Sequence, residues 1–438
     1  MKSIAIGVDD FRKLRQQDSY YVDKSLFIEA FVKSGSEAMM FPRPRRFGKT
    51  LNMTMLKYFF DIKEASENRQ LFEGLAIEKS EAFEKHQGKY PVMYLSLKSC
   101  KSTTYSGFLM SVRNVISKTY QQYEFLLAEN ILNSSEIEFF QKFLHFKAED
   151  EEYKFALINL SEILYRHYNQ KVILLIDEYD TPIHEAYLNG HYNDTVGFLK
   201  AMLGDALKGN PYLYKSAITG ILRISKESMF SDLNNLEVHS ILSNKFNTYF
   251  GFTQNEVDEI LKNYNLSSET DNVKKWYDGY YFGDKDIYNP WSIINFVNRD
   301  GVYNNYWINT SSNDLVHSFI RQSDESIKRI IGDLLSNEDV FSVIDENVSF
   351  KNIEKSKETI ISFFLQTGYL KARFVGKLDL KNNYKIEIPN NELRIIYKDI
   401  IIKWFNETIN ESNLTQMLIC DIRMFLCLSA IRAKLSNM

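Results

Sequence analysis

Two short stretches of this sequence carry residue types that together could handle a phosphate chain. The first is FPRPRRFGKT (41–50), ending in Gly48, Lys49 and Thr50. Gly-Lys-Thr at the start of a helix turns backbone N–H groups toward an anion, adds an ammonium and offers a hydroxyl to a divalent cation. The second is KVILLIDEYD (171–180), in which five apolar residues run into Asp177 and Glu178. A strand of that kind delivers its carboxylate to the sheet edge where ligands of α/β folds bind. Roles follow from charge. Backbone N–H groups of Arg46, Phe47, Gly48, Lys49 and Thr50 would cradle phosphates, with the Lys49 ammonium between the β and γ groups. Thr50 and Asp177 would ligate Mg²⁺, and Glu178 would orient and polarise a water. Each stretch alone is weak evidence. In this order, with a further strand between them, they make a nucleotide and Mg²⁺ the expected ligands.

The loop departs from the G-x-x-x-x-G-K-[ST] pattern at its entrance, where Arg43 replaces the first glycine and Pro44 follows. Arginine does not visit positive φ cheaply and proline lacks an N–H, so an extended entrance is expected. Arg45 and Arg46 fit either phosphate contact or a salt-bridged surface. A third stretch, YLYKSAITGI (212–221), ends in Thr219 and Gly220, with Arg223 and Lys226 beyond. Thr219 at a strand tip could hold the attacking water or the γ-phosphate. Arg223 could stabilise transition-state charge, in cis or across a subunit boundary. A strand-end cap and a surface arginine account for the same residues. His184 and His191 flank a turn without a third ligand nearby and read as ordinary polar residues; Cys100 has no base beside it.

Positioning these groups takes a sheet. AMMF (38–41) is a short buried strand, and LNMTMLKYFFDI after Thr50 places Leu51, Met55, Tyr58 and Phe59 at helical spacing. YPVMYLSLKS (90–99) reads as another strand, residues 105 to 168 as charged helices, and VILLID as a strand buried on both faces. Strands alternating with helices predict an α/β fold: a P-loop NTPase parallel sheet, a mostly helical lid and a small mixed C-terminal region. The expected boundaries are 1–245, 246–320 and 321–438. The lid opens with Thr253 and Glu256 in capping-box spacing, and YLKARFVGKLDLKNNYKIEI (369–388) predicts a hairpin.

Composition narrows the class. Of 438 residues, 44% are hydrophobic and 25% charged, and a net charge of -4 gives no global attraction to nucleic acid. Three cysteines, with Cys420 and Cys427 in an apolar segment, exclude a disulfide framework and a CxxC zinc site. The N-terminal apolar stretch is too short for a signal peptide, and no run nears the roughly 18 apolar residues of a membrane helix. A cytoplasmic protein without a membrane partner is expected.

With these motifs in hand, the chain resembles the bacterial AAA-ATPase-like family whose phosphate loop has the form PRRFGKT. The resemblance is carried by YYVDKS (20–25), FPRPRRFGKTLNMTMLKYFF (41–60), LLIDEYDTPI (174–183), TGILRISKESMFSDLNNL (219–236), WYDGYYFG with YNPWS (276–292) and YWINTSSND (306–314). It makes the missing first glycine a family trait. It implies an ATP-binding P-loop ATPase, a switch or motor in a nucleic-acid or defence context, with room for a DNA or nuclease partner and for a homo-oligomer. A nucleotide-binding regulatory or structural module with little turnover remains the alternative. Longer members of the family continue into a PD-(D/E)XK nuclease-like domain. No Asp followed by Glu-x-Lys on neighbouring strands occurs after residue 320, where Glu354, Asp379 and Glu387 read as surface carboxylates. The tail from Asn413 departs from the family pattern, so the expectation is a chain shortened before any nuclease domain.

Overall fold

The computed structural model describes residues 2–129, 131–223, 235–307, 325–348, 353, 356–378 and 380–411. Five strands form its main sheet: β1 (Ala38–Pro42), β2 (Val92–Ser96), β3 (Val172–Asp177), β4 (Leu213–Gly220) and β5 (Leu236–Val238). Their order is β2-β3-β4-β1-β5, and every pairing is parallel. All six residues of β3 are buried. Alternation sorts them between two cores. Leu174 and Ile176 face the helices Tyr105–Gln121, Ala156–Tyr168 and Tyr192–Leu207. Ile173 and Leu175 face Leu26–Lys33 and Lys49–Phe60. Because the strands are parallel, the C-terminal ends of β1, β3 and β4 come level: Phe41 pairs with Thr219 and Ile176 with Ile218.

The strands expected at 38–41, 90–99, 172–177 and 212–221 are present. Strand β5 was not legible, because three half-buried residues show no run and no alternation. After residue 245 come the helices Gln254–Asn263, Thr270–Tyr277 and Pro290–Asn298, packed on a core of Phe252, Val257, Ile260, Tyr277, Ile293 and Phe296. The Thr253 capping box forms, with Glu256 accepting the Thr253 N–H at 2.7 Å. The aromatic stretch read as turns contains an antiparallel hairpin, β6 (Tyr280–Phe282) with β7 (Lys285–Ile287), again too short for a sequence signal.

Farther on, the expected hairpin is β9 (Lys371–Leu378) with β10 (Lys381–Glu387), joined by β8 (Val340–Val343) on the other side of β10. Around it lie the helices Glu325–Leu335, Lys357–Thr367 and Asn391–Glu411. Glu354, Asp379, Lys226, Cys420, Cys427 and the tail from Asn413 lie outside the described residues.

Candidate functional site

The phosphate-loop stretch leaves β1 at Pro42 and enters the Lys49–Phe60 helix at Lys49. Two residues take left-handed backbone, Arg46 at φ 67° and Gly48 at φ 78°. Glycine adopts that conformation without strain, and Gly48 caps the helix there. Arg43 does not have positive φ, so the entrance needs no glycine. The Arg43 N–H continues the strand ladder by donating to the Gly220 carbonyl at 3.0 Å. The Lys49 ammonium is buried at the loop's centre and donates to the carbonyls of Arg43 and Pro44, both at 3.0 Å. Burial lowers its pKa, against the opposing pull of Glu178, Asp180 and Asp177.

The Asp177 carboxylate, fully buried at the end of β3, joins three elements. Thr50 donates to its Oδ2 at 2.8 Å from the first turn of the loop's helix, and Thr219 to its Oδ1 at 2.6 Å from the tip of β4. Tyr94 on β2 lies 3.5 Å from Oδ2. Burial raises the pKa of Asp177, and the two threonine hydroxyls oppose that shift. Glu178 follows with φ 53°, which turns it out of the strand direction; Thr181 donates to its Oε2 at 3.3 Å.

Sequence reading stopped at this acid pair and missed the next two residues. The Asp180 Oδ2 accepts the N–H groups of Ile221 (2.7 Å) and Leu222 (3.0 Å), and the Tyr179 hydroxyl donates to the Leu222 carbonyl at 2.6 Å. Together they clamp the segment leading out of β4 to Arg223. Gly220 is required beside them: a Cβ there would lie 2.6 Å from the Tyr179 ring and 2.7 Å from the Asp180 Oδ1. A second acidic residue two places after DE was the available signal. Thr50, Asp177 and Thr219 are thus in direct contact. Arg223 ends the clamped segment, with no hydrogen bond to Asp177 or Glu178 among the described residues.

Groups from the helical region reach the loop from the other side. The side chains of Asn289 and Trp307 both donate to the Arg45 carbonyl at 3.3 Å. The Arg46 guanidinium lies 4.2 Å over the Trp291 ring, and Phe47 packs edge-on against Tyr280 at 4.9 Å. Beside Gly48 opens an apolar cavity of about 90 Å³, lined among others by Leu51, Tyr249, Phe252, Ile260 and Pro290, with Tyr20, Tyr21 and Lys24 of YYVDKS on its wall. Lys24 crosses to the Gln254–Asn263 helix, contacting both Glu256 oxygens at 2.6 Å.

The histidines do not form a cage. His191 bonds Thr195 at 3.0 Å and the Ser102 carbonyl at 3.2 Å. His184 is pushed down to about 4 by burial, with Arg45 and Lys101 adding to the effect, and is neutral. Cys100 is buried and its thiol is pushed up to about 12. Among the described residues no group of three or more His, Cys, Asp or Glu is placed to hold a metal. Glu387 lies 3.6 Å from Lys371 on the neighbouring strand. No described helix is long and apolar enough to cross a membrane.

A parallel sheet with a Gly-Lys-Thr helix start after β1 and an acid-tipped strand, β3, on the far side of β4 defines a P-loop ATPase type of protein. The family described as "Predicted AAA-ATPase" matches residues 5–230, more than half of the chain, and the chain belongs to that AAA-ATPase-like family. It is similar, at 24% identity over 415 residues, to an uncharacterized protein from the 5′ region of vnfD in Azotobacter chroococcum mcd 1. That match covers 92% of this chain and 70% of the relative. A Walker-type ATPase of Pyrococcus abyssi aligns with 86% of this chain and 94% of its own, at 12% identity and a TM-score of 0.40.

Proposed function

We propose that the chain binds Mg-ATP and hydrolyses its terminal phosphoanhydride, acting as a nucleotide-driven switch or motor. The observation that carries this reading is the Asp177 carboxylate held between the Thr50 and Thr219 hydroxyls beside the Lys49 ammonium. One carboxylate and one hydroxyl, completed by phosphate oxygens and water, suit Mg²⁺, which is seldom held by an all-protein cage. Bound there through Thr50 and Asp177, Mg²⁺ would neutralise charge on the β and γ oxygens. Lys49 binds those phosphates, and the N–H groups of residues 46 to 50 face them. Glu178, turned out of the strand by its left-handed backbone, orients the attacking water. Thr219, which donates to the Asp177 carboxylate from the tip of β4, would hold the attacking water or the γ-phosphate. The cavity beside Gly48 supplies an apolar slot for the base.

The second reading is a nucleotide-binding regulatory or structural module with little turnover. A nucleic-acid or defence context and a cytoplasmic location rest on the family resemblance and composition. ATP binding and hydrolysis, measured with and without DNA, test the assignment. Lys49→Ala should abolish binding, since each charge-assisted hydrogen bond contributes about 1.5–3 kcal/mol. Glu178→Ala should bind ATP and turn it over about 10²–10⁴-fold more slowly. Unchanged affinity in Lys49→Ala, or equal loss of binding in Glu178→Ala, would refute these roles.

A further inference from the structure

Arg43 stands where a P-loop ordinarily has its first glycine, and its side chain is completely buried. The guanidinium Nη1 donates to the carbonyls of Pro42 at 2.8 Å and His239 at 2.6 Å, and Nη2 donates to that of Phe246 at 3.1 Å. These acceptors lie at the end of β1, just past β5, and on the segment leading into the lid. The group is also flanked by rings, 4.9 Å from the centre of Phe250 and 5.4 Å from that of Phe282. No described carboxylate pairs with it, and its Nε is buried without a partner among the described residues. A charge removed from water in this way is costly unless its donors are met. Burial alone lowers its pKa. Hydrophobic residues would fill the same space at lower cost, so the retained fork points to a role that needs directed donors.

That role is visible in the backbone of the same residue. The Arg43 N–H is bonded to Gly220, and the Arg43 and Pro44 carbonyls are the two acceptors of the Lys49 ammonium. The next residue, Pro44, is braced from the C-terminal region, where a Cβ on Gly368 would lie 2.9 Å from its ring. We propose that Arg43 is a positioning residue: its guanidinium ties the lid-entry segment to residues 43 and 44, whose carbonyls hold the Lys49 ammonium at the centre of the loop. The loop gains through a side-chain fork the definition that an ordinary P-loop gains from a glycine turn. Restoring the glycine removes that definition. Only the consequence for ATP turnover rests on the function proposed above.

The test measures the acylation rate of individual lysines by acetic anhydride at pH 7.5, using peptide mass spectrometry. Lys215 is the internal control: it too donates to two carbonyls, those of Ser34 (2.7 Å) and Ser36 (2.8 Å), at the opposite end of β4. Arg43→Lys keeps a cation but cannot reach three acceptors in a planar fork, and Arg43→Gly restores the usual residue. Both should raise Lys49 labelling at least fivefold while Lys215 changes less than twofold. Saturating ATP turnover should fall at least tenfold in both, including in the variant that looks more like a P-loop. Unchanged Lys49 labelling in Arg43→Lys would overturn the proposal, as would a parallel rise at Lys49 and Lys215, which marks general loosening. If labelling changes as stated but neither wild type nor variant hydrolyses ATP, the positioning role stands and the ATPase reading fails.

Discussion

Glu392 gives the most quantitative handle on how the C-terminal region is coupled to the loop. Its carboxylate is fully buried at the start of the Asn391–Glu411 helix. It accepts from the Ser292 hydroxyl at 2.8 Å and from the Trp307 N–H at 2.7 Å; the Trp307 indole in turn donates to the Arg45 carbonyl. Burial raises its pKa from the ordinary 4.5 to about 7, with these hydrogen bonds opposing the shift. The folded chain therefore holds this proton more tightly than the unfolded chain does. The resulting stabilisation is fully present below pH 4.5 and lost as pH rises through 7. At about 1.4 kcal/mol per pKa unit the whole effect is about 3 kcal/mol, most of which falls between pH 5 and pH 8. Glu392→Gln is neutral throughout; its amide oxygen can accept the Trp307 N–H and its NH₂ can donate to the Ser292 oxygen. The stability of the variant relative to wild type should thus rise by about 2–3 kcal/mol from pH 5 to pH 8. Urea unfolding followed by tryptophan fluorescence at the two pH values measures this. A relative stability that shifts by less than about 0.5 kcal/mol would show that Glu392 does not hold its proton as the burial argument requires.

Two further outcomes are expected. Gly220→Ala should destabilise the fold by about 1–3 kcal/mol, because its Cβ meets the Tyr179 ring and the Asp180 carboxylate; an unchanged thermal midpoint would show that the clamp yields freely. Plasmid or single-stranded DNA incubated with the protein and Mg²⁺ or Mn²⁺ should remain uncut, since metal-dependent cleavage needs converging carboxylates. Cleavage that survives Lys49→Ala and disappears in Asp379→Ala would overturn that expectation.

The sequence by itself determined the sheet, the loop and the acid strand. Each is a local pattern: VILLID is too uniformly apolar to face water on either side, and FGKT followed by apolar residues at helical spacing can only start a helix. Strand β5 and the β6–β7 hairpin escaped notice because three-residue strands carry no period and are held by their neighbours. The tertiary structure alone decided which carboxylates and donors meet. Asp180 finds its N–H partners at residues 221 and 222, Arg43 its acceptors at 239 and 246, and Glu392 its donors at 292 and 307. None of these pairs has a characteristic spacing, because long-range contacts are set by how packed elements bring distant carbonyls and hydroxyls within about 3 Å. The entrance of the phosphate loop combines both sources. Sequence shows that its glycine is missing, and only the tertiary structure shows Arg43 buried there among the carbonyls of Pro42, His239 and Phe246 and two phenylalanine rings.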